Sequence, residues 1–212
     1  METILLNELN YRDKLVLCND ILTKGEVIAF PTETVYGLGC DLFNESAVKK
    51  LYLLKGRDFN KPLTAHISDL KFVRDLTDSI PDEFFVLSDY FLPGPLTIIL
   101  KKSKLIPDIV TAGLPTIGIR FPNNPIAIEI INNYGKPLAA TSANMSGQSP
   151  AIESKNIIKN FFNLIPLIID GGLTINQVAS TVIDISSDRF YILREGAIPK
   201  SEIEKVLNIK FL

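Results

Sequence analysis

The only histidine of this 212-residue chain, His66, closes the stretch "KGRDFNKPLTAH" (55–66), which also carries Lys55, Arg57 and Lys61. Three cations and one imidazole within twelve residues invite one kind of chemistry, the holding of a phosphate or a carboxylate. Arginine grips such groups bidentately through its planar fork, and lysine supplies a compact point charge. "PLTAHI" (62–67) alternates, with Leu63, Ala65 and Ile67 on one face and Thr64 and His66 on the other, beside whatever Lys61 binds. The competing reading is a solvated helix end, where cations are favoured by the helix dipole. No carboxylate or nucleophile stands at a fixed spacing from His66, so general-base work is not assigned to it.

Three further segments end strands with polar groups. "FPTETVYGLGCD" (30–41) offers the hydroxyls of Thr32 and Thr34, and Gly37 and Gly39 let the backbone approach a ligand closely. It is neither GxGxxG nor a Walker A loop. Its bland alternative is a strand-to-helix turn with threonines bonded to their own backbone. "TIGIR" (116–120) places Thr116, Gly118 and Arg120 on one strand face. An arginine at the end of a buried strand needs a partner, either a protein carboxylate or the carboxylate or phosphate of a ligand. "AATSANMSGQSP" (139–150) runs into a small polar loop whose hydroxyls and Asn144 amide could hold phosphate or adenine, although alone it is an ordinary loop. No Ser-His-Asp order, HExxH, EF-hand or metal-ligand spacing is present. These residues support binding of a small anionic ligand and go no further.

The elements that position them alternate along the chain. Residues 13–23 carry Leu15, Cys18 and Leu22 at helical spacing and stop at Gly25. "VIAF" (27–30) reads as a buried strand, and "ESAVKKLYLLK" (45–55) as a helix capped by Asn44. Pro81 with Asp82 and Glu83 starts another helix, and "PGP" (93–95) breaks the chain before the strand "LTIIL" (96–100). "NNPIAIEIINNYG" (123–135) is a helix with Asn124 as cap, Pro125 in the first turn and Gly135 as stop. "TIGIRF", "PLAAT", "PLIID", "STVIDI" and "FYILRE" are strands, and "SEIEKVLNI" opens with Ser201 and Glu204 in capping-box register. No linker, repeat or low-complexity tract intervenes. The pattern predicts one α/β domain around a twisted, mixed sheet.

Composition narrows the class. Hydrophobic residues are 46 % and charged residues 22 %, as in a globular protein, and the net charge of −2 gives no global drive toward nucleic acid or anionic membrane. A local basic stretch remains, with Lys49, Lys50, Lys55, Arg57, Lys61, Lys71 and Arg74 facing only Asp58 and Asp69 between residues 49 and 74. Cys18 and Cys40 have no CxxC spacing and no histidine near them, which predicts free thiols. The absence of a signal-peptide pattern or long apolar run points to the cytoplasm.

In order, "FPTETVYGLGCD", "KGRDFNKPLTAHI", "PGPLTIILKK", "TIGIRFPNNPIA", "PLAATSANMSGQSP", "IIDGG", "STVIDI" and "ILREGAI" resemble the YrdC/TsaC family of threonylcarbamoyl-AMP synthases, over about residues 10 to 200. The resemblance implies a single YrdC-like domain over 1–212, an open α/β twist with a large, concave, positively lined cavity. It implies a nucleotidyltransferase that makes threonylcarbamoyl-AMP and pyrophosphate from L-threonine, bicarbonate and ATP. A tRNA threonylcarbamoyl transferase complex then uses the product to modify position 37 of tRNA. By the same resemblance Thr34, His66, Arg120, Ala140 and Ser180 serve threonine and bicarbonate. Lys55, Arg57, Lys61, Thr116, Ser142, Asn144, Ser149 with Pro150, and Arg194 serve ATP. Mg²⁺ accompanies the nucleotide, with no metal held by protein side chains and no organic cofactor. Weak binding of tRNA or double-stranded RNA is a further expectation, and no catalytic base is assigned. Two relatives in kind compete. The YciO group looks altered at "KGR" and "SAN", both intact here, and hydrogenase-maturation carbamoyltransferases carry zinc-finger cysteines that this chain lacks.

Overall fold

The computed structural model describes residues 2–211 and has ten strands in one mixed sheet. The strands are β1 (Ile4–Asn7), β2 (Ile28–Phe30), β3 (Gly37–Asp41), β4 (Thr64–His66), β5 (Leu96–Lys101), β6 (Thr116–Arg120), β7 (Leu138–Ser142), β8 (Leu167–Asp170), β9 (Thr181–Asp184) and β10 (Tyr191–Arg194). The helices are α1 (Leu15–Thr23), α2 (Glu45–Lys55), α3 (Val73–Leu76), α4 (Asp82–Phe91), α5 (Asp108–Thr111), α6 (Pro125–Tyr134), α7 (Ser154–Phe161) and α8 (Lys200–Leu207). Across the sheet the order is β1-β8-β2-β3-β7-β4-β6-β5-β9-β10. The pairs β1/β8, β2/β8, β4/β6 and β5/β9 are parallel and the others antiparallel. Register sets Leu138, His66, Arg120, Thr97, Val182 and Arg194 in one row across six strands.

Successive side chains in a strand point to opposite faces, so each strand divides its residues between two layers. On one face Ala29, Leu38, Ala65, Ile98, Ile117, Ile119, Ala139, Ile168 and Ile183 join the main core, with Val48 and Leu51 of α2, Phe84 of α4, Phe161 of α7 and Ile203 of α8. The other face is covered over part of its width only. There α1 and α6 bring Cys18, Leu22, Ile126, Ile130 and Ile131 against Leu6, Ile28, Phe30, Leu138, Ala140, Leu167 and Ile169. No residue of this second core comes from β4, β5, β6, β9 or β10. The sheet therefore keeps a concave, helix-free surface over those five strands.

Local signals hold the helices where the sequence predicts them. The Asn44 side chain accepts from Ala47 N at 3.1 Å, and Gly56 ends α2 with φ of 58°. The Asn124 side chain accepts from Ile126 N and Ala127 N at the start of α6. One expectation and one alternative are corrected. Pro199, in extended conformation, sits at the N-cap of α8, so Ser201 lies inside the helix and makes no cap bond. Glu204 instead accepts from Phe211 N at 3.0 Å. Residues 30–41 are also no strand-to-helix turn, because "GLGCD" is strand β3, antiparallel to β2. A β-carbon on Gly39 would lie 2.8 Å from the Phe30 ring, so this glycine admits a core aromatic rather than a ligand. Both cysteines are buried free thiols. Among the described residues no helix is long and apolar enough to cross a membrane.

Candidate functional site

The uncovered half of the sheet forms a cavity of about 580 Å³, within the size range of small-molecule sites. Its floor is Thr64 and His66 of β4, Gly118 and Arg120 of β6, Thr97 and Ile99 of β5, Val182 and Asp184 of β9, and Ala140 and Ser142 of β7. Arg57, Thr32, Tyr36, Leu114, Pro150, Leu193 and Arg194 form much of the rest of its wall. Alternation alone brings these strand residues to one surface. Gly118 keeps the floor low, since a β-carbon there would meet Thr97 Cγ2 at 3.2 Å and Thr64 Cγ2 at 3.7 Å.

Arg120 is the most constrained charge in this wall. Its Nη2 donates to Thr34 Oγ1 at 2.6 Å, to Glu33 Oε1 at 3.0 Å and to Thr32 Oγ1 at 3.4 Å, while Nε is buried without a partner. Burial pushes its proton affinity down and Glu33 pushes it back up; the guanidinium stays charged. His66 lies in the next strand, edge-on to the Phe30 ring with centroids 6.0 Å apart. Burial first, and Arg120 second, hold its pKa well below the ordinary value, so the imidazole is neutral. Its Nδ1 is buried and unpartnered. At the far end of the same row, Arg194 donates from Nε to Ser180 O at 3.0 Å and from Nη2 to Ser180 Oγ at 3.1 Å. Ser180 Oγ in turn lies 2.9 Å from Thr97 Oγ1.

The cationic stretch 55–66 divides sharply. Lys55 is turned inward and only 2 % exposed, its ammonium donating to Ser142 O and, at 2.8 Å, to Asn144 O. Burial, then Arg57, pushes its pKa down to about 7. This lysine braces the 142–148 loop from behind. Asn144 does the same from within, donating to Met145 O at 2.9 Å and Gln148 O at 2.8 Å and accepting from Ser142 Oγ at 2.6 Å. Arg57, past the turn at Gly56, does line the cavity, with Nη2 on Pro62 O at 2.8 Å.

Of the residues expected to serve the nucleotide, Arg57, Thr116, Ser142 and Arg194 line the cavity; Lys55, Lys61, Asn144 and Ser149 do not. Lys61 and Ser149 are exposed, although Lys61 O accepts from Arg57 Nε at 3.1 Å and Pro150 reaches the wall. Of those expected to serve the amino acid, His66, Arg120, Ala140 and Ser180 line the cavity, and Thr34 stands behind Arg120. Glu33, Thr97 and Asp184 were not singled out from sequence. Glu33 had a signal, since Arg120 required a partner and Glu33 is the one acid between the two threonines of "TET". Thr97 and Asp184 had only the period-two alternation of their strands.

Comparison with known proteins agrees with this fold. Residues 20–196 match the model of the Sua5_yciO_yrdC family, described as telomere recombination. The chain is 41 % identical over 194 residues to a threonylcarbamoyl-AMP synthase of Pyrococcus abyssi, covering 92 % of this chain and 57 % of that protein. It is 43 % identical over 188 residues to the threonylcarbamoyl-AMP synthase of Bacillus subtilis, covering 88 % of this chain and 54 % of that protein. The crystal structure of P. abyssi Sua5 complexed with L-threonine superposes with a TM-score of 0.95 at 38 % identity, over 100 % of this chain and 63 % of that one. The chain thus spans little more than half the length of these two curated relatives.

Proposed function

As the chain belongs to the Sua5/YciO/YrdC family, we propose that it is a threonylcarbamoyl-AMP synthase, a nucleotidyltransferase acting on L-threonine, bicarbonate and ATP. The observation that carries this reading is the charge of the cavity wall, where Arg57, Arg120 and Arg194 face Asp184, and Glu33 is paired with Arg120 from behind. Such a wall suits two anionic partners at once, one bearing phosphates and one bearing a carboxylate. Arg120 and Arg194 stand three strand spacings apart, roughly 14 Å between backbones, which is room for an amino acid and a nucleotide side by side.

In this mechanism Arg120 takes the threonine carboxylate, and Arg57 and Arg194 take the phosphates. Neutral His66 presents an unprotonated nitrogen to a donor on the amino acid or bicarbonate. The threonine amine attacks the bicarbonate carbon, water leaves, and a carbamate forms. A carbamate oxygen then attacks the α-phosphorus, and pyrophosphate carries away the electron pair of the broken bond. The fixed cations neutralise charge where it develops and the cavity holds the reactants in line. Mg²⁺ would travel on the triphosphate, because one lining carboxylate is too few to cage a divalent ion; no step is assigned to it. The product, a mixed anhydride, would be handed to a tRNA threonylcarbamoyl transferase complex.

The test is pyrophosphate release from ATP with each co-substrate omitted in turn. Release that requires both threonine and bicarbonate supports the proposal. Release that is indifferent to threonine, or none under any combination, overturns it.

A further inference from the structure

We infer that Glu33 is a positioning residue for the amino-acid subsite, acting through Arg120; the inference rests on the function proposed above. The three bonds that hold the Arg120 guanidinium all converge on Nη2, from Glu33 Oε1, Thr32 Oγ1 and Thr34 Oγ1. Nε is sealed and bare, and among the described residues Nη1 has no protein partner. One corner of the fork is therefore clamped, and Nη1 is the donor left for a carboxylate in the cavity. Two hydroxyls could hold that corner without Glu33. They could not balance its charge, however, and an uncompensated guanidinium this deeply buried, with neutral His66 beside it, is costly.

The platform under Glu33 is itself rigid. Thr32 Oγ1 donates to Val35 O at 2.6 Å and accepts from Thr34 N and Val35 N, closing the turn on itself. Glu33 O accepts from Asn176 N at 2.8 Å, and Tyr36 N donates to Ala151 O at 2.8 Å, so loops on both sides pin the segment. A carboxylate presented from such a turn fixes the direction of the guanidinium before any ligand arrives, and preorganisation of this kind lowers the cost of binding. Glu33 Oε2 is buried with no partner.

The experiment measures binding of L-threonine and of L-threoninamide, which lacks the carboxylate, to the wild type, Glu33→Gln and Glu33→Ala by calorimetry. Circular dichroism monitors the fold. Wild type is expected to prefer threonine. Glu33→Ala should lose about tenfold or more in threonine affinity, about 1.4 kcal/mol, with threoninamide little changed, so that the preference collapses. Glu33→Gln, which keeps an acceptor without the charge, should fall between them and serves if the alanine variant does not fold. A threonine preference equal to or greater than that of the wild type in a folded variant would overturn the inference. Wild-type protein that binds neither ligand would count instead against the proposed function.

Discussion

One face of the sheet carries two regions built by the same alternation and finished in opposite ways. Under α1 and α6 the outward positions are Ile28, Phe30, Leu138 and Ile169, packed into the second core. Beyond β7 the equivalent positions are Thr64, His66, Thr97, Gly118 and Arg120, facing the cavity. The strand period is identical in both, so backbone geometry does not make the site. Residue type does, together with the absence of a helical layer. A site of this kind is a missing layer whose exposed floor has been made polar.

The contrast predicts that a truncation on the covered half costs stability and one on the open half costs binding. Arg120→Ala should do both, because it strands Glu33 as a buried, unpaired carboxylate. Removing one partner of such a pair costs about 3–5 kcal/mol, and threonine-dependent turnover should disappear, as urea denaturation and pyrophosphate assays would reveal. Ile130→Ala, on the fully buried inner face of α6, should cost about 3 kcal/mol with KM for threonine and ATP unchanged. A rise in either KM would break the separation of the two halves.

Lys55 tests the boundary between bracing and binding. Its pKa is held near 7 against an ordinary 10.5, chiefly by burial. Between those values the unfolded chain binds the proton and the folded chain does not. Stability therefore rises with pH across this window, by up to about 1.4 kcal/mol per pH unit. Lys55→Met should lack that slope, and parallel denaturation series from pH 7 to 10 measure it. Equal slopes would contradict the inward placement. The smallest contrast lies just beyond the end of α2: Arg57→Ala should raise KM for ATP about tenfold, about 1.4 kcal/mol, whereas Lys61→Ala should change it less than about twofold. Equal effects would mean that charge near the mouth matters as much as charge in the wall.

Much of this was legible in the residues. Leu63, Ala65 and Ile67 against Thr64 and His66 announced which side of β4 met the cavity and which met the core. Asn44 and Asn124 announced their helices through caps. Lys55 was readable in principle, since Val48, Leu51, Tyr52 and Lys55 share the buried stripe of α2; its charge drew attention away from its period. Strand β3 was hidden for the opposite reason, because glycine at alternate positions carries no side chain from which a face could be read. Glu33 was half legible: Arg120 called for a partner, but that partner is 87 residues away in the chain, and pairing at that distance is set by the sheet order and not by local spacing.

The helix-free half of the sheet has one more consequence. Five strands are packed on a single side, so a bound nucleotide and amino acid would act as the layer that helices supply elsewhere. Any ligand that fills the cavity becomes part of the fold. At a hundred times its dissociation constant it would add about 2.7 kcal/mol to stability. Amide hydrogens of β5, β6 and β9 should then slow their exchange with solvent on ligation, while those of β2 and β8, already roofed by α1 and α6, should hardly respond.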